Sequence, residues 1–311
     1  YNKLLENVAL SIGGYYDRND GFFTNSFNGK KADKEESVGA RLGLEWMISP
    51  QFKAIYNFSF DYSEQGAFPY GLYNPETKQT AAVSINDSST YNRRMIGNQL
   101  RLEYKSNQFT LSSTTSYRHL KDNMNMDQDF SPLSIFTLNQ KQKQNAFSQE
   151  IALKSNQPTN YQWSVGLYGF YDDLHTDGPV TFKEDGVKTV LQSVFDRLKA
   201  SIPRMPQLII LDEQIYIPGS FDTPTYGLAL YHQSTINNLF SEGLSLTAGI
   251  RLDYEKAEMD YHSEASMHFG MQMAPGMPMI TLPELPTSVM DGSINQDSWQ
   301  VLPKISLKYE C

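Results

Sequence analysis

Two adjacent segments of the chain alternate strictly between apolar and polar positions. In SVGARLGLEWMI, every second residue from Val38 to Ile48 is apolar, and FKAIYNFSFDY repeats the pattern from Phe52 to Tyr62. Because side chains of a strand point alternately to opposite faces, the pattern predicts two strands with one apolar and one polar face. Each run has about 11 residues, which fits a tilted strand that crosses a bilayer better than a typical soluble strand.

The same period recurs in further segments along the chain. These predicted strands span residues 7–16, 94–104, 109–117, 145–154, 161–171, 225–236, 244–255 and 299–309. Long and short connections alternate between the strands, as in outer-membrane barrels with short periplasmic turns and long extracellular loops. The predicted fold class is therefore all-β: an antiparallel up-and-down transmembrane β-barrel segment of about ten strands with long extracellular loops.

The connections and the last strand allow further predictions. Loops are expected over residues 17–36, 63–92, 120–144, 173–223 and 256–297. Within the longest loop, residues 187–201 have apolar positions at helical spacing, which predicts a short amphipathic helix packed on the barrel rim. Pro303 is expected to break the last strand. Loops of this length favour a piece of a larger barrel, so residues 1–311 are interpreted as a single domain cut from a longer protein.

Aromatic residues collect near both predicted membrane boundaries. Aromatic side chains favour the headgroup level of a bilayer, whereas ordinary strand enrichment in aromatics is the alternative explanation. The set near the periplasmic ends is Trp46, Phe52, Tyr104, Phe109, Tyr161, Trp163 and Tyr309. The set near the outer ends is Tyr62, Tyr117, Phe147, Tyr171, Tyr254 and Trp299.

Composition narrows the function classes. The 311 residues carry a formal charge of -9, which argues against a nucleic-acid partner. No long apolar run predicts a transmembrane helix, and the single cysteine, Cys311, excludes an internal disulfide. The histidines form no HExxH pair and no nucleophile–base motif. We therefore expect neither an enzyme nor a bound cofactor.

Several segments together resemble a known family. They are YYDRNDGFFTN, GKKADKEESVGARLGLEW, FSQEIALKS, WSVGLYGFYDD, LSLTAGIRLDYEK and LPKISLKYE. Their order and spacing are similar to those in the barrels of TonB-dependent outer-membrane receptors. The resemblance implies a 22-stranded barrel in the cell outer membrane, surrounded by outer-membrane lipid and occluded by an N-terminal plug that contacts TonB and is missing from this sequence.

Charged residues on the polar strand faces are candidates for the lumen. They are Arg41, Glu45, Asp61, Arg101, Glu103, Arg251 and Asp253. Within the resemblance, they would face the plug and line a polar path. The alternative is a solvated face stabilised by cross-strand ion pairs.

Aromatic residues of the long loops are candidate ligand-binding residues. They are Tyr70, Tyr73, Phe130, Phe136, Phe182, Tyr216 and Phe221. Exposed aromatic side chains favour recognition, whereas packing within the loops is the alternative.

A methionine-rich loop, MHFGMQMAPGMPMI, suggests a metal. His268, Met271 and Met273 offer imidazole and thioether groups, which suit Cu(I), although methionine also fills flexible apolar loops. A copper-importing receptor is thus a minor alternative.

The function expected from these observations is TonB-dependent active uptake of a scarce nutrient, foremost a ferric siderophore or similar iron complex. A small-molecule metal chelate or cofactor would be the ligand. A diffusion porin and a soluble all-β binding or adhesion domain are the alternatives.

Overall fold

The computed structural model describes residues 2–157, 159–274, 276–283 and 285–310. Its strands are β1 (Asn2–Leu5), β2 (Val8–Asn19), β3 (Glu35–Met47), β4 (Phe52–Gly66), β5 (Tyr73–Asn74), β6 (Gln79–Thr80), β7 (Thr90–Lys105), β8 (Phe109–Asp127), β9 (Phe136–Ser155), β10 (Tyr161–Asp177), β11 (Val180–Phe182), β12 (Gln207–Ile210), β13 (Ile215–Ile217), β14 (Ser220–Ile236), β15 (Leu244–Met267), β16 (Phe269–Gln272), β17 (Ile280–Thr281) and β18 (Leu285–Tyr309). The helical part consists of α1 (Glu184–Gly186), a π-helical turn (Val187–Leu191) and α2 (Gln192–Ser201). Within the described ranges, no helix combines the length and the apolarity needed to cross a membrane.

The long strands form one antiparallel meander in the order β1-β2-β3-β4-β7-β8-β9-β10-β14-β15-β18. In the part of the chain that the structure describes, this path ends at β1 and β18, and the sheet does not close. The short strand β11 extends the sheet beside β9, and β13 pairs with β11. A small sheet of β12, β16 and β17 and the hairpin β5–β6 lie outside it. The up-and-down barrel segment predicted from the sequence is confirmed.

Every predicted strand is present, but most of them extend further outward. The loop expected over residues 120–144 is largely strand, because β8 runs to Asp127 and β9 begins at Phe136. The loop expected over residues 256–297 is likewise shortened by the outer halves of β15 and β18. Beyond the bilayer the outward face of a hairpin meets water, so its apolar row ends while the hydrogen-bond ladder continues. The prediction for Pro303 was also wrong, since β18 passes through this residue, which is paired with Ile250.

The apolar faces of the strands form one continuous exposed surface. In the register, Ile151 lies beside Leu167, then Leu230 and Leu252 follow on the next strands. These side chains remain about half exposed, as Ile151 at 47% and Leu230 at 54% show. A water-soluble protein rarely exposes so wide an apolar patch. The apolar side chains therefore face the hydrocarbon of a bilayer.

An aromatic row crosses this surface near the outer end. Tyr117, Phe147, Tyr171 and Tyr226 are successive cross-strand partners on four neighbouring strands. Tyr254 and Trp299 form a further pair, with ring centroids 4.7 Å apart. The row marks the outer headgroup boundary, where amphipathic rings are favoured.

Polar residues interrupt the apolar surface on the strands β4 to β9, where they form hydrogen bonds with one another. Gln149 bonds the hydroxyls of Ser113 and Thr115, and the Tyr56 hydroxyl donates to Asn98 Oδ1 at 2.7 Å. Since an unpaired polar group in hydrocarbon is costly, this mutual pairing explains how the seam is tolerated.

The predicted helix forms, but it does not pack directly on the barrel rim. Val187, Ile210, Ile215 and Phe269 make a small buried core within the outer loops, and Leu191 and Phe195 pack against it. The remaining apolar positions of the helix, such as Val194 at 53% exposure, stay in solvent. The helix thus belongs to a compact subdomain formed by the connections on either side of β14 and β15.

Candidate ligand-binding site

The polar strand faces line the concave side of the sheet. A concave region of about 720 Å³ is bordered there by polar side chains that include Arg41, Asn57, Gln99, Arg118 and Asp172. It opens widely along the inner wall, so it represents the lumen rather than a closed ligand cavity. Polar walls facing an aqueous or protein-filled interior are typical of large outer-membrane barrels.

Most of the lumen-facing charges predicted from the sequence are locally paired. Lys53 Nζ lies 2.7 Å from Glu45 Oε1. Two of the ion pairs join residues on the same face of one strand: Arg101 with Glu103 at 3.0 Å, and Arg251 with Asp253 at 2.9 Å. The sequence placed these residues on one face, but only the structure shows which of them touch.

Four aromatic side chains lie across glycines of the neighbouring strand. The Tyr15 ring covers Gly39, and a Cβ on Gly39 would lie 2.1 Å from the nearest ring carbon. Beyond this glycine the Tyr15 hydroxyl donates to Asp61 Oδ1 at 2.9 Å. The Tyr231 ring covers Gly166 in the same way, and its hydroxyl donates a hydrogen bond to Glu150 Oε1 at 2.9 Å. The other two pairs are Phe170 over Gly227 and Tyr261 over Gly292. Such rings cover the glycine backbone and fix the strand register.

The Tyr231 contact belongs to the densest polar cluster of the inner wall. The Arg251 guanidinium lies 5.9 Å from the Tyr168 ring centroid and 6.0 Å from that of Tyr231. The same guanidinium is held by Asp253, so its orientation over the rings is fixed. This cluster is a rigid surface for whatever fills the lumen.

An aromatic cluster lies at the outer end of the strands, between the connections that follow β4 and β8. The rings of Tyr70 and Phe130 meet edge to face, with centroids 5.2 Å apart, and Phe68 lies 6.0 Å from Tyr70. Phe68 and Phe130 adopt positive φ angles of 56° and 51°. This conformation is strained for a bulky residue and tends to persist at functional sites. We call Phe68, Tyr70 and Phe130 the aromatic cluster.

A buried carboxyl group supports the backbone of this cluster. Asp127 is 0% exposed and accepts hydrogen bonds from the amides of Phe130 at 3.2 Å and Asp87 at 3.3 Å. It lies ten residues beyond the aromatic row at Tyr117, in the outer extension of β8. Burial, together with the nearby charge of Asp129, raises its pKa to about 6.

The aromatic cluster borders an open cleft of about 370 Å³. Phe22, Phe68 and Tyr70 form its apolar wall, while Asp33 and Glu35 lie among its polar residues. The Asp33 carboxylate is occupied by the amides of Phe22 and Phe23 at 2.9 Å each. None of the described residues bordering the cleft is a lysine or arginine. The cleft therefore combines an apolar aromatic wall with an acidic edge.

The other aromatic residues predicted from the sequence lie apart from this cluster. Phe136 and Phe182 stack on each other at 5.7 Å, and Phe182 packs against the loop core. Tyr73 and Tyr216 are exposed, at 60% and 59%, on separate hairpins. Phe221 lies within β14, opposite Thr176 and Tyr261. Phe22, Phe68 and Asp127 could not be identified from the sequence, because their roles depend on backbone conformation and on contacts between distant loops.

The suggested metal-binding residues His268, Met271 and Met273 lie within the short strand β16 or directly next to it. His268 Nδ1 lies 2.7 Å from Asp212 Oδ1, a hard oxygen partner rather than a thioether. Met271 lies within β16, between β12 and β17, and Met273 is 56% exposed after the strand ends. Among the described residues, no group of three or more His, Cys, Asp or Glu side chains could hold a metal ion.

Comparison with known proteins gives one family and several similar structures. The family described as TonB dependent receptor-like, beta-barrel, matches residues 53–310. The ferric yersiniabactin uptake receptor FyuA from Yersinia pestis is similar over 99% of this chain and 40% of its own, with 15% identity and a TM-score of 0.68. The siderophore receptor PiuA from Acinetobacter baumannii is similar over 99% of this chain and 44% of its own, with 10% identity and a TM-score of 0.63. The ferric citrate transporter FecA in the unliganded form is similar over 87% of this chain and 38% of its own, with 10% identity and a TM-score of 0.55.

These structures share the fold rather than a close sequence relationship. The chain spans less than half the length of each of them. No curated protein sequence matches the chain.

Proposed function

The chain belongs to the TonB-dependent receptor family, and we propose on this premise that it forms part of a receptor that takes up a ferric siderophore or a similar iron complex. Members of this family are outer-membrane β-barrel receptors that bind siderophores and interact with TonB, and it is not an enzyme family. The chain lies in the outer membrane, and the apolar surface formed by its strands, which we call the apolar belt, is in contact with lipid. Family membership also argues against the alternatives of a diffusion porin and a soluble domain.

The observation that carries the ligand proposal is the aromatic cluster beside its cleft. Phe68 and Phe130 keep strained backbone angles, and the buried Asp127 holds the Phe130 amide in place. Strain of this kind needs support from the surroundings, and here it holds Phe68 and Phe130 against the exposed Tyr70 ring at the outer mouth of the lumen. Rigid aromatic rings offer a large contact area at low entropic cost, which suits capture of a dilute ligand.

The charge of the cleft narrows the ligand class. Asp33 and Glu35 border it, without a lysine or arginine among its described residues. A multiply anionic chelate would be repelled there, since like charges in a partly desolvated site are costly. We therefore propose an iron complex of low net negative charge, with a flat or aromatic chelating group against Phe68 and Tyr70, and with Phe130 supporting the Tyr70 ring.

The lumen residues have a different role in this proposal. The Glu150–Tyr231–Arg251 cluster and the paired charges Arg101–Glu103 face the interior of one barrel domain, residues 1–311, and would contact a plug through which TonB acts. Because these groups are already paired with one another, they offer a fixed polar wall rather than a strong ligand site.

The test uses the full-length receptor and a panel of ferric chelates of different charge. Replacing Tyr70 or Phe68 by alanine is expected to weaken binding of the preferred chelate by about 10- to 100-fold, the usual effect of losing an aromatic hot spot. Phe240→Ala is the matched control, because Phe240 is 96% exposed with a φ of 65° but lies in the short turn at the opposite end. Growth on the chelate as sole iron source should fall in parallel.

Two results would reject the ligand proposal. One is unchanged affinity in both cluster variants. The other is a preference for strongly anionic chelates that persists in all variants. Barrel insertion, checked by heat-modifiable gel mobility, must be the same in every variant.

A further inference from the structure

Basic residues collect on the lipid-facing side of the sheet at its outer end. Arg94, Lys121 and Lys143 are direct cross-strand partners on β7, β8 and β9, and all three are exposed. Lys141 is exposed two residues further along β9 and therefore lies on the same face. We call these four residues the basic patch.

The basic patch has an unfavourable charge arrangement in the isolated protein. Directly opposed side chains in an antiparallel pair have Cβ atoms about 5 Å apart, and like charges at that distance destabilise the sheet. Within the described ranges, none of the four makes an ion pair. The neighbouring acids have other positions or partners: Glu64 accepts from Tyr62, and Asp177 contacts His175. An external anion would therefore relieve the repulsion.

The distance of the basic patch from the aromatic row shows which layer of the membrane surrounds it. Lys121 and Lys143 each lie four residues beyond the aromatic row at Tyr117 and Phe147, which is about 13 Å along the strand. With a strand tilt of about 40°, this places the charges about 10 Å above the ring level. The side chains thus extend into the headgroup layer of the outer leaflet, above the hydrocarbon.

The sign of the charge changes around the rim. The cross-strand row that contains Lys143 continues through His175 to Asp222 and Asp260. Asp222 holds His175 Nδ1 at 2.7 Å, so this side offers no free cation. The basic character is therefore confined to β7, β8 and β9, and it is not a general feature of the outer rim.

We propose that the basic patch binds the phosphate groups of a lipid in the outer leaflet. Apolar chains of the lipid would lie against the belt below, while its phosphates would bridge Arg94, Lys121 and Lys143. Guanidinium and ammonium groups form strong charge-assisted hydrogen bonds with phosphate oxygens. The apolar surface and the cations are vertically aligned on the same strands, which fits one amphipathic molecule and not a soluble anion.

The experiment measures lipid retention by the full-length receptor in phosphatidylcholine nanodiscs doped with diphosphorylated lipid A. Native mass spectrometry after release should show bound lipid A on the wild type. The variant Arg94→Gln, Lys121→Gln, Lys143→Gln should retain at least 10-fold less. The control Lys30→Gln, Lys78→Gln, Arg204→Gln removes the same charge from exposed loop positions and should retain lipid A as the wild type does.

Three outcomes would overturn the proposal. Equal retention by the wild type and the patch variant would show that the patch does not bind phosphate. Equal loss in the control variant would show a non-specific charge effect. Displacement of the lipid by millimolar inorganic phosphate would show a site for the free anion. The inference does not depend on which chelate the receptor takes up.

Discussion

The buried carboxyl of Asp127 should make the outer hairpin of β8 and β9 sensitive to pH. The side chain is 0% exposed, yet it supports the amides of Asp87 and Phe130. Burial raises its pKa from 3.8 to about 6, and the charge of Asp129 adds to the effect. The nearby Asp87, paired with Lys183 at 2.5 Å, makes a smaller contribution that also raises the pKa of Asp127.

The sign of the effect follows from proton binding in the closed and open states. Between pH 3.8 and about 6 the closed hairpin keeps the Asp127 proton while the open form has lost it. Stability is therefore greatest below pH 3.8 and is lost as the pH rises through about 6. A shift of about two pKa units corresponds to about 3 kcal/mol, or about 100-fold in the opening constant.

Hydrogen exchange of the full-length receptor can measure this opening. After correction for intrinsic exchange rates, amides in residues 125–137 should open about 50-fold more readily at neutral pH than at pH 4, where the open form is already partly ionised. Asp127→Asn keeps one acceptor oxygen but cannot ionise, so the pH dependence should disappear. The turn 237–243, at the other end of the barrel, is an internal control.

The reasoning would be refuted by a wild-type opening constant that does not change across this pH range. It would equally be refuted if Asp127→Asn kept the full pH dependence, since another group would then be responsible. Ligand binding is not needed for either measurement, so the test is independent of the uptake proposal.

Three further predictions address the barrel and its loops. Gly39→Ala should destabilise the folded barrel by about 1–3 kcal/mol, because the new Cβ would lie 2.1 Å from the Tyr15 ring. Gly13→Ala, which places a Cβ in open space on the same face, should cost much less, and urea unfolding in detergent measures both variants. Ile151→Lys should cost about 2–4 kcal/mol of folding free energy in lipid vesicles, while Ser148→Lys on the lumen face should cost much less; equal costs would reverse the assignment of the two faces. Ile215→Ala should loosen the loop core by about 2–5 kcal/mol and speed proteolysis within residues 178–219 without changing barrel stability.

The membrane-spanning parts of the strands could be predicted from the sequence because one face meets lipid and the other meets water. That difference holds only across the bilayer. Beyond it, the segment KAEMDYHSEAS in β15 still alternates, but the polar residues Lys256, Glu258 and Asp260 take over the face that is apolar within the bilayer, so the row on which the prediction relied ends there. Pro303 misled for a related reason: proline removes one N–H, but the ladder on either side is sufficient to keep β18 continuous.

The candidate site could be predicted only as a set of residue types. Tyr70 and Phe130 were recognisable as loop aromatics, but their contact joins residues sixty positions apart. The positive φ of Phe68 and the burial of Asp127 arise from the assembled loops, and no local motif announces them. For the same reason, nothing in the sequence separated Phe182, which packs in the loop core, from Tyr70, which borders the cleft.

The contacts between the outer loops explain why the aromatic cluster can keep its strained geometry. Asn25 exchanges two hydrogen bonds with the backbone of Ile85, and the Lys183–Asp87 ion pair joins the same connection to β11 and α1. The loop that carries Phe68 and Tyr70 is therefore held from both sides before any ligand arrives. A receptor whose ligand is scarce benefits from this arrangement, because binding then involves no loss of conformational entropy for ordering the loops. Breaking the Asn25 contacts with Asn25→Ala should thus weaken chelate binding although Asn25 lies outside the cleft; unchanged affinity would show that the loops order only after the ligand binds.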